Sequence, residues 1–508
     1  MNYVDLFRAT LPETALEVAA LLVLVIDLGF LRKAGRATRI AVAALLGIAG
    51  CVAALWAVSI AGPLSAGSDL LLAAGGSAGV AQVAVLVLTA LTLLLLIDSD
   101  FTRNPGEYVA VVLMAAAGGL LISAAQDLLV IFIGLELLSL SLYILTAFAK
   151  RSGKSAESAI KYYIFGAMSA AFLLFGFSYL YGLTGSTNLH EIALDAAMGR
   201  ADGATPLLYV ALVMIAAGLG FKVAAVPFHL WAPDTYEGAP APAAAFIASV
   251  SKVASFALLI GIGTAFFHIL DNVHGGLVFV RFGFPSRYFG LLGPWELILT
   301  VFAVASMVFG NLAALAQSSV RRLLAYSAIA HAGYILLGLA FFSWTSMSAQ
   351  AVLYYIVTYG LTTIGAFGVV GVVERATGSD RLEAFLGLNK RNPLLATVML
   401  VLFLSLAGIP PLVGFWAKFN LFAAVLRVSG GALPFTLVAL AIAFSAVSLY
   451  YYLQVLKRVY VMPAVDPSPI CVNPVTSGVL ALITAAVLVM GCLPAVLQNW
   501  IASFYPAR

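Results

Sequence analysis

Charge is what this 508-residue chain has least of: 9% of its residues are Asp, Glu, Lys or Arg, against 63% hydrophobic. A soluble chain carries about 25% charged residues, so no ordinary water-facing surface can be assembled from this one. With a mean hydropathy of +1.07, the chain reads as an all-α polytopic membrane protein. Its apolar runs approach or exceed about twenty residues, the length of a spanning helix, whereas barrel strands alternate over about ten. Cysteine is nearly absent, and Cys51, Cys471 and Cys492 share no ligand spacing, which speaks against a zinc site or an iron–sulfur cluster. No phosphate-cradling loop of the GxxxxGK type, with Ser or Thr following, occurs; ATP-driven pumping and direct NADH oxidation are therefore not expected of this chain. The formal charge of +4, spread over short loops, gives nucleic acid no footing. The N-terminus lacks the basic start of a cleaved signal, so the first apolar run is expected to be retained.

What is present is about fourteen apolar spans, near residues 14–31, 38–61, 77–97, 107–125, 127–148, 157–182, 205–231, 240–269, 290–315, 321–342, 347–373, 393–426, 432–457 and 474–499. The longest connections, 183–204 and 270–289, read as surface loops. If the loop Arg32–Arg39 faces the cytoplasm, loops on that side hold sixteen of the 26 Lys and Arg residues and the other side six. Both termini are then expected outside.

Two spans, the seventh and twelfth, are interrupted. One runs through Lys222 and Pro227 to His229, and the other through Pro410 and Pro411 to Lys418. Proline removes a backbone donor and clashes with the preceding turn, and paired broken spans point to an ion or substrate site. Their spacing predicts two inverted five-helix repeats, 107–269 and 290–457. Three helices precede them within 1–106 and one helix, 474–499, follows.

Ionisable groups inside apolar helices are costly and usually mark ion paths. Glu136 lies near the middle of the fifth span, close to Ser139 and Ser141. It is readable either as a structural carboxylate or as part of such a path. Lys222, and Lys252 with Ser249, Ser251 and Ser255 around it, offer ammonium groups deep in the bilayer. A lysine out of water beside a movable carboxylate can be loaded and unloaded with a proton; a permanent ion pair is the plainer alternative. His331 and His229 suit a proton shuttle, although a lone histidine is as readily a packing residue. Glu157 and Lys161 form an i,i+4 pair, equally readable as an interfacial salt bridge or as part of a relay. Glu17, Asp27 and Glu296 fall near span ends, and Tyr450-Tyr-Tyr452 reads as packing. The row Glu136, Lys222, Lys252, His331 and Lys418 suits protons or monovalent cations better than organic substrates.

Three stretches resemble a known family. They are Phe221-Lys-Val-Ala-Ala-Val-Pro-Phe-His-Leu-Trp-Ala-Pro-Asp-Thr-Tyr-Glu-Gly-Ala-Pro-Ala-Pro242, Gly310-Asn-Leu-Ala-Ala-Leu-Ala-Gln-Ser-Ser-Val-Arg-Arg-Leu-Leu-Ala-Tyr-Ser-Ala-Ile-Ala-His-Ala-Gly-Tyr334 and Ser405-Leu-Ala-Gly-Ile-Pro-Pro-Leu-Val-Gly-Phe-Trp-Ala-Lys-Phe419. They are similar to the antiporter-like subunits of respiratory complex I, and the Pro-Asp-Thr-Tyr-Glu-Gly-Ala-Pro form with Lys418 is of the N type. The resemblance implies a proton-translocating subunit of a bacterial inner-membrane NADH:quinone oxidoreductase. Glu136 and Lys222 would be a carboxylate–lysine pair, Lys252 a bridging lysine and Lys418 an exit lysine. It implies no cofactor in this chain, with NADH, FMN, iron–sulfur clusters and quinone in partner subunits. The expected partners are the other membrane-arm subunits, among them a second antiporter-like subunit and the small subunits toward the quinone site, together with the lipid bilayer. Arg321 stands where lysine is common, and the 270–289 connection is longer than the family pattern. The alternatives are a subunit of a multi-subunit cation/proton antiporter and a scaffolding subunit with a vestigial path.

Overall fold

A computed structural model describes residues 7–61, 71–73, 75–197, 205–274, 294–341, 346–428, 432–464 and 466–505. Most of the 270–289 connection lies outside these residues, as do Arg200, Arg281, Arg287 and Arg508 of the charge count and the start of the expected ninth span. The described residues are helical apart from turns and three isolated β-bridges. Among the described residues, twelve helices are long and apolar enough to cross a membrane.

The N-terminal group comprises α1 (Leu11–Val25), continued by a π-helical turn (Ile26–Phe30), α2 (Arg36–Ala61) and α3 (Gly76–Leu96). Asp27 lies in that π turn. It is buried and bound bidentately by Arg39 at 2.7 and 2.6 Å, and it accepts from Gly106 N at 3.2 Å. The span-end aspartate is therefore a buried tie between helices.

The next group is α4 (Pro105–Ala124), α5 (Leu128–Thr146), α6 (Gly153–Thr184), α7 (Leu189–Ala197), α8 (Thr205–Val223), α9 (Trp231–Gly238), α10 (Ala241–Phe246) and α11 (Lys252–His274). Residues 183–204 were expected as surface loop, but 189–197 form α7, whose Leu189, Ile192 and Ala193 are buried. Apolar residues spaced three to four apart in Leu-His-Glu-Ile-Ala give α7 a face to bury, and it packs on α11.

The third group is α12 (Pro294–Leu315), α13 (Val320–Ala340), α14 (Ser346–Thr377), a 3-10 turn (Leu382–Phe385), α15 (Leu388–Arg391), α16 (Pro393–Ala407), α17 (Val413–Val428) and α18 (Ala432–Tyr460). Last come α19 (Pro474–Cys492) and α20 (Pro494–Ser503). The expected single span 474–499 divides at Leu493 because Pro494 disfavours helical backbone in the residue before it.

The second and third groups share local devices. α5 is capped by Asp127, which accepts from Leu129 N, and α13 by Ser319, which accepts from Arg322 N. α6 and α14 are each 32 residues long and end in the turns Thr184-Gly-Ser-Thr-Asn-Leu189 and Thr377-Gly-Ser-Asp-Arg-Leu382. In both turns glycine takes a positive φ (71° and 73°). The threonine hydroxyl bonds the last helical turn, and a β-bridge returns to the cap: Asp127 to Asn188, Ser319 to Arg381. α3 packs against both α11 and α14, joining the groups. The most enclosed of these spans are Ala241–Ala265 and Val320–Ala340, where 94% of an 18-residue apolar stretch is buried, against 28% for Ala432–Tyr460. Those two central spans carry Lys252 and His331.

Candidate functional site

The site grows from two interrupted helices. In an α-helix, residue i donates to the carbonyl of residue i−4, so a proline at i leaves that carbonyl without its donor. Pro227 orphans Val223 O in this way, Pro410 orphans Leu406 O, and Pro411 orphans Ala407 O. Each of these carbonyls accepts instead from a buried lysine. Lys252 Nζ donates to Val223 O. Lys418 Nζ donates to Leu406 O at 3.1 Å and Ala407 O at 2.9 Å, and to Ser445 Oγ at 2.8 Å. The partial negative charge at a helix C-terminus favours a cation there. Gly408, with φ 88°, ends α16, and a Cβ at that position would lie 3.0 Å from Lys418 Cδ.

In the first break, Ala224 takes φ 56° and Val226 N turns to Ser306 Oγ of α12 at 2.9 Å. Trp231 opens α9. Its indole donates to Phe221 O at 2.9 Å and stacks on Tyr162, with ring centroids 4.4 Å apart. The short helix α9 that follows the break is thereby fixed to α6 and to the end of α8. Lys222, one residue before Val223, donates to Ser139 Oγ. Among the described residues no ion pair joins Lys222 to Glu136. Glu136 is half-buried and lies one turn before Ser139 on α5, so the hydroxyl occupies the ammonium while the carboxylate stands beside it. Lys222 thus lies at the end of α8, and Lys252 bonds the carbonyl of the residue that follows it. A π turn (Ile247–Ser251) immediately precedes Lys252. The neighbouring Ser249 and Ser255 hydroxyls bond backward to Ala245 O and Ser251 O of their own helix, not to the ammonium.

His331 is buried in the middle of α13. Its Nδ1 is 2.8 Å from Tyr355 Oη, and its ring packs among Tyr334, Tyr355 and Tyr359. The Lys418 ammonium sits 5.3 Å from the Tyr334 ring centroid. Tyr334 Oη accepts from Asn311 Nδ2 at 3.1 Å, Tyr451 Oη donates to Asn311 Oδ1 at 3.2 Å, and Tyr452 Oη pairs with Ser327 Oγ. Read from sequence as packing, the tyrosine run divides: Tyr451 and Tyr452 are buried hydrogen-bonding groups, and Tyr450 faces outward. Neither Asn311 nor Ser445 carries a charge, so the sequence signal for each is a polar residue within an apolar span.

Other expected site residues fall elsewhere. His229 is buried with its ring against Phe309, 4.8 Å between centroids. Glu157 and Lys161 form their i,i+4 pair at 2.7 Å, but on the partly exposed end of α6. There Lys161 also binds Asp234 at 2.9 Å, and Arg322 holds Asp234 at 2.7 Å and Glu237 at 3.0 Å. Burial alone would raise the Asp234 carboxyl, yet bonds from Lys161 and Arg322 hold it below its ordinary value. Arg321 donates to Glu237 O at 2.8 Å and stands 3.5 Å from Glu374. This lattice borders a cavity of about 600 Å³ lined by Asp98, Lys154, Glu237, Arg321, Glu374 and Arg381, among others.

The family model described as NADH:quinone oxidoreductase/Mrp antiporter, transmembrane, matches residues 125–269 and 261–445. An NADH-quinone oxidoreductase subunit N of Acidobacterium capsulatum is 46% identical over 99% of both chains. One from Roseiflexus castenholzii is 41% identical over 81% of this chain and 76% of its own length. Among solved structures, a chain of Thermus thermophilus respiratory complex I superposes with a TM-score of 0.76 at 32% identity, covering 96% of this chain and 98% of that one. A chain of the Mrp complex from a Dietzia species shares the fold at 21% identity, with a TM-score of 0.76 over 99% and 98% of the two chains. The chain belongs to the NADH:quinone oxidoreductase/Mrp antiporter transmembrane family, among the subunit N proteins of NADH-quinone oxidoreductase.

Proposed function

We propose that this chain is a proton-translocating membrane-arm subunit of a bacterial inner-membrane NADH:quinone oxidoreductase, working beside other membrane-arm subunits. NADH, FMN, iron–sulfur clusters and quinone belong in this reading to partner subunits, and the chain itself carries no redox step. The observation that carries it is the enclosed row Lys222, Lys252, His331 and Lys418, in which Lys252 and Lys418 are seated on carbonyls freed by proline breaks and Lys222 on the Ser139 hydroxyl. Electron transfer elsewhere shifts Glu136 relative to Lys222 and so changes whether Lys222 holds its proton or passes it on. The proton then moves by way of Lys252 and His331 to Lys418. Moving one charge against 100 mV costs about 2.3 kcal/mol, which a proton-affinity change of roughly two pKa units supplies.

The 600 Å³ cavity opens on the side to which the Lys and Arg bias assigns the cytoplasm, and serves in this reading as the uptake mouth. The shared end turns and caps of α4–α11 and α12–α18 support two inverted five-helix repeats. Residues 11–30 and the interrupted 393–428 bring the twelve long helices to fourteen spans, with both termini outside.

The test uses the assembled complex in proteoliposomes. Lys222→Ala and Glu136→Ala are each expected to leave assembly intact and to lower NADH-driven acidification several-fold; full pumping in both would refute the proposal. The family description also covers Mrp antiporters, so the second reading is a cation/proton antiporter subunit. A pH gradient driven by Na⁺ in vesicles without NADH would favour it.

A further inference from the structure

We propose that the oxygens around Lys418 form a seat for a large monovalent cation, and that the tethered ammonium, by filling it, restricts this position to protons. Three oxygens converge on Nζ: Leu406 O at 3.1 Å, Ala407 O at 2.9 Å and Ser445 Oγ at 2.8 Å. Two are carbonyls whose helical donors Pro410 and Pro411 have abolished; Ala407 O also accepts a long bond from Ser445 Oγ at 3.4 Å, but a carbonyl has two lone pairs, so both oxygens keep capacity for a positive partner when the lysine is absent. Carbonyls at the C-terminal ends of interrupted membrane helices are suited to coordinating monovalent cations. All three oxygens are neutral, which favours a single charge.

The spacing points the same way. Mg²⁺ requires about 2.0–2.1 Å and Ca²⁺ about 2.3–2.6 Å to oxygen. The observed distances are those of an ammonium, and K⁺ is the metal ion of nearest size. The other seat is thinner, since Lys252 has the single carbonyl Val223 O. The Lys418 side chain is thus a cation that cannot leave: its proton exchanges while its nitrogen holds the seat against free metal ions. The seat stands on geometry, and its consequence for selectivity rests on the proton-translocation reading above.

The experiment measures equilibrium binding of radioactive Rb⁺, a K⁺ tracer, to the purified complex. Lys418→Ala, which vacates the seat, is expected to add one saturable Rb⁺ site per complex over the parent, displaced by K⁺ and by methylammonium but not by Ca²⁺. Lys418→Met refills the space with an apolar chain and is expected to add none. Lys418→Ser serves if the alanine variant does not assemble. An assembled alanine or serine complex with no added site overturns the proposal, as does an equal added site in Lys418→Met. Proton pumping measured alongside separates the two readings. Lost pumping without a Rb⁺ site refutes the seat alone, and a Rb⁺ site with full pumping keeps the seat while refuting the relay role of Lys418.

Discussion

Asn311 sits in α12, with its amide donating to Met307 O at 2.7 Å and to Tyr334 Oη, while its Oδ1 accepts from Tyr451. Its removal takes a partner from two buried hydroxyls, Tyr334 Oη and Tyr451 Oη, and a buried polar group left unpaired costs about 1–3 kcal/mol. Asn311→Ala is therefore expected to lower the thermal midpoint of the purified protein clearly. Tyr451→Phe deletes one bond and one hydroxyl together, and should cost only about 0.5–1.5 kcal/mol. Because the two share a bond, a double-mutant cycle should return a coupling of at least about 0.5 kcal/mol. Residues of this kind were hard to see in the sequence. Glu136, Lys222, Lys252 and Lys418 announce themselves because a charge in hydrocarbon is costly. Tyrosine serves packing and hydrogen bonding alike, so nothing in Tyr450-Tyr-Tyr452 separates the exposed ring from the two bonded ones. The partner of Lys222 was equally hidden. Whether its ammonium meets Glu136 or Ser139 depends on how α5 and α8 dock, and residues one helical turn apart look alike from sequence.

At the scale of elements, the proline breaks were legible, and so were the carbonyls they free, since the i−4 rule names Val223, Leu406 and Ala407. What fills those carbonyls was not legible, because Lys252 reaches Val223 from another helix. The repeated Thr-Gly-Ser turn at the ends of α6 and α14 stands plainly in the sequence, but it places no charge inside an apolar span, the signal that marks Lys222, Lys252 and Lys418. Close crossings supply a test of how the site is held. A Cβ on Gly118 of α4 would lie 2.6 Å from Leu138 N and 2.9 Å from Gly134 O of α5, whereas one on Gly182 meets nothing within 4 Å. Backbone atoms cannot yield as a side-chain tip can. Gly118→Val is therefore expected to part α4 from α5, displace Glu136 and Ser139, and reduce the yield of assembled complex; Gly182→Val should match the parent on the same native gel. Asp234 ties α9 to α6 and α13. Its carboxyl is held below its ordinary value, so its contribution is full above about pH 3.9 and is lost as pH falls through the lower, folded-state value. Partly exposed pairs contribute about 0.2–1 kcal/mol each. Asp234→Asn should thus lower the thermal midpoint slightly at neutral pH, and the gap to the parent should close on acidification below about pH 4.

For the whole molecule, the decisive feature is which spans are enclosed. Ala241–Ala265 and Val320–Ala340 are almost wholly buried, and Lys252 and His331 upon them are shielded from lipid by the helices around them. α3 packs against both α11 and α14, joining the group that holds Lys222 to the group that holds Lys418. A serial arrangement has a kinetic signature. Residues that act as a unit are grossly non-additive when removed together. If protons pass along one row, Lys222→Met and Lys418→Met each break it, and the double variant has nothing further to lose. Two independent paths would instead multiply the losses. NADH-driven acidification per electron transferred, measured for both single variants and the double in the same proteoliposome preparation, decides between them. A single row predicts a double variant no slower than the worse single, and a double variant lower by the product of the two losses would show that the molecule carries two paths.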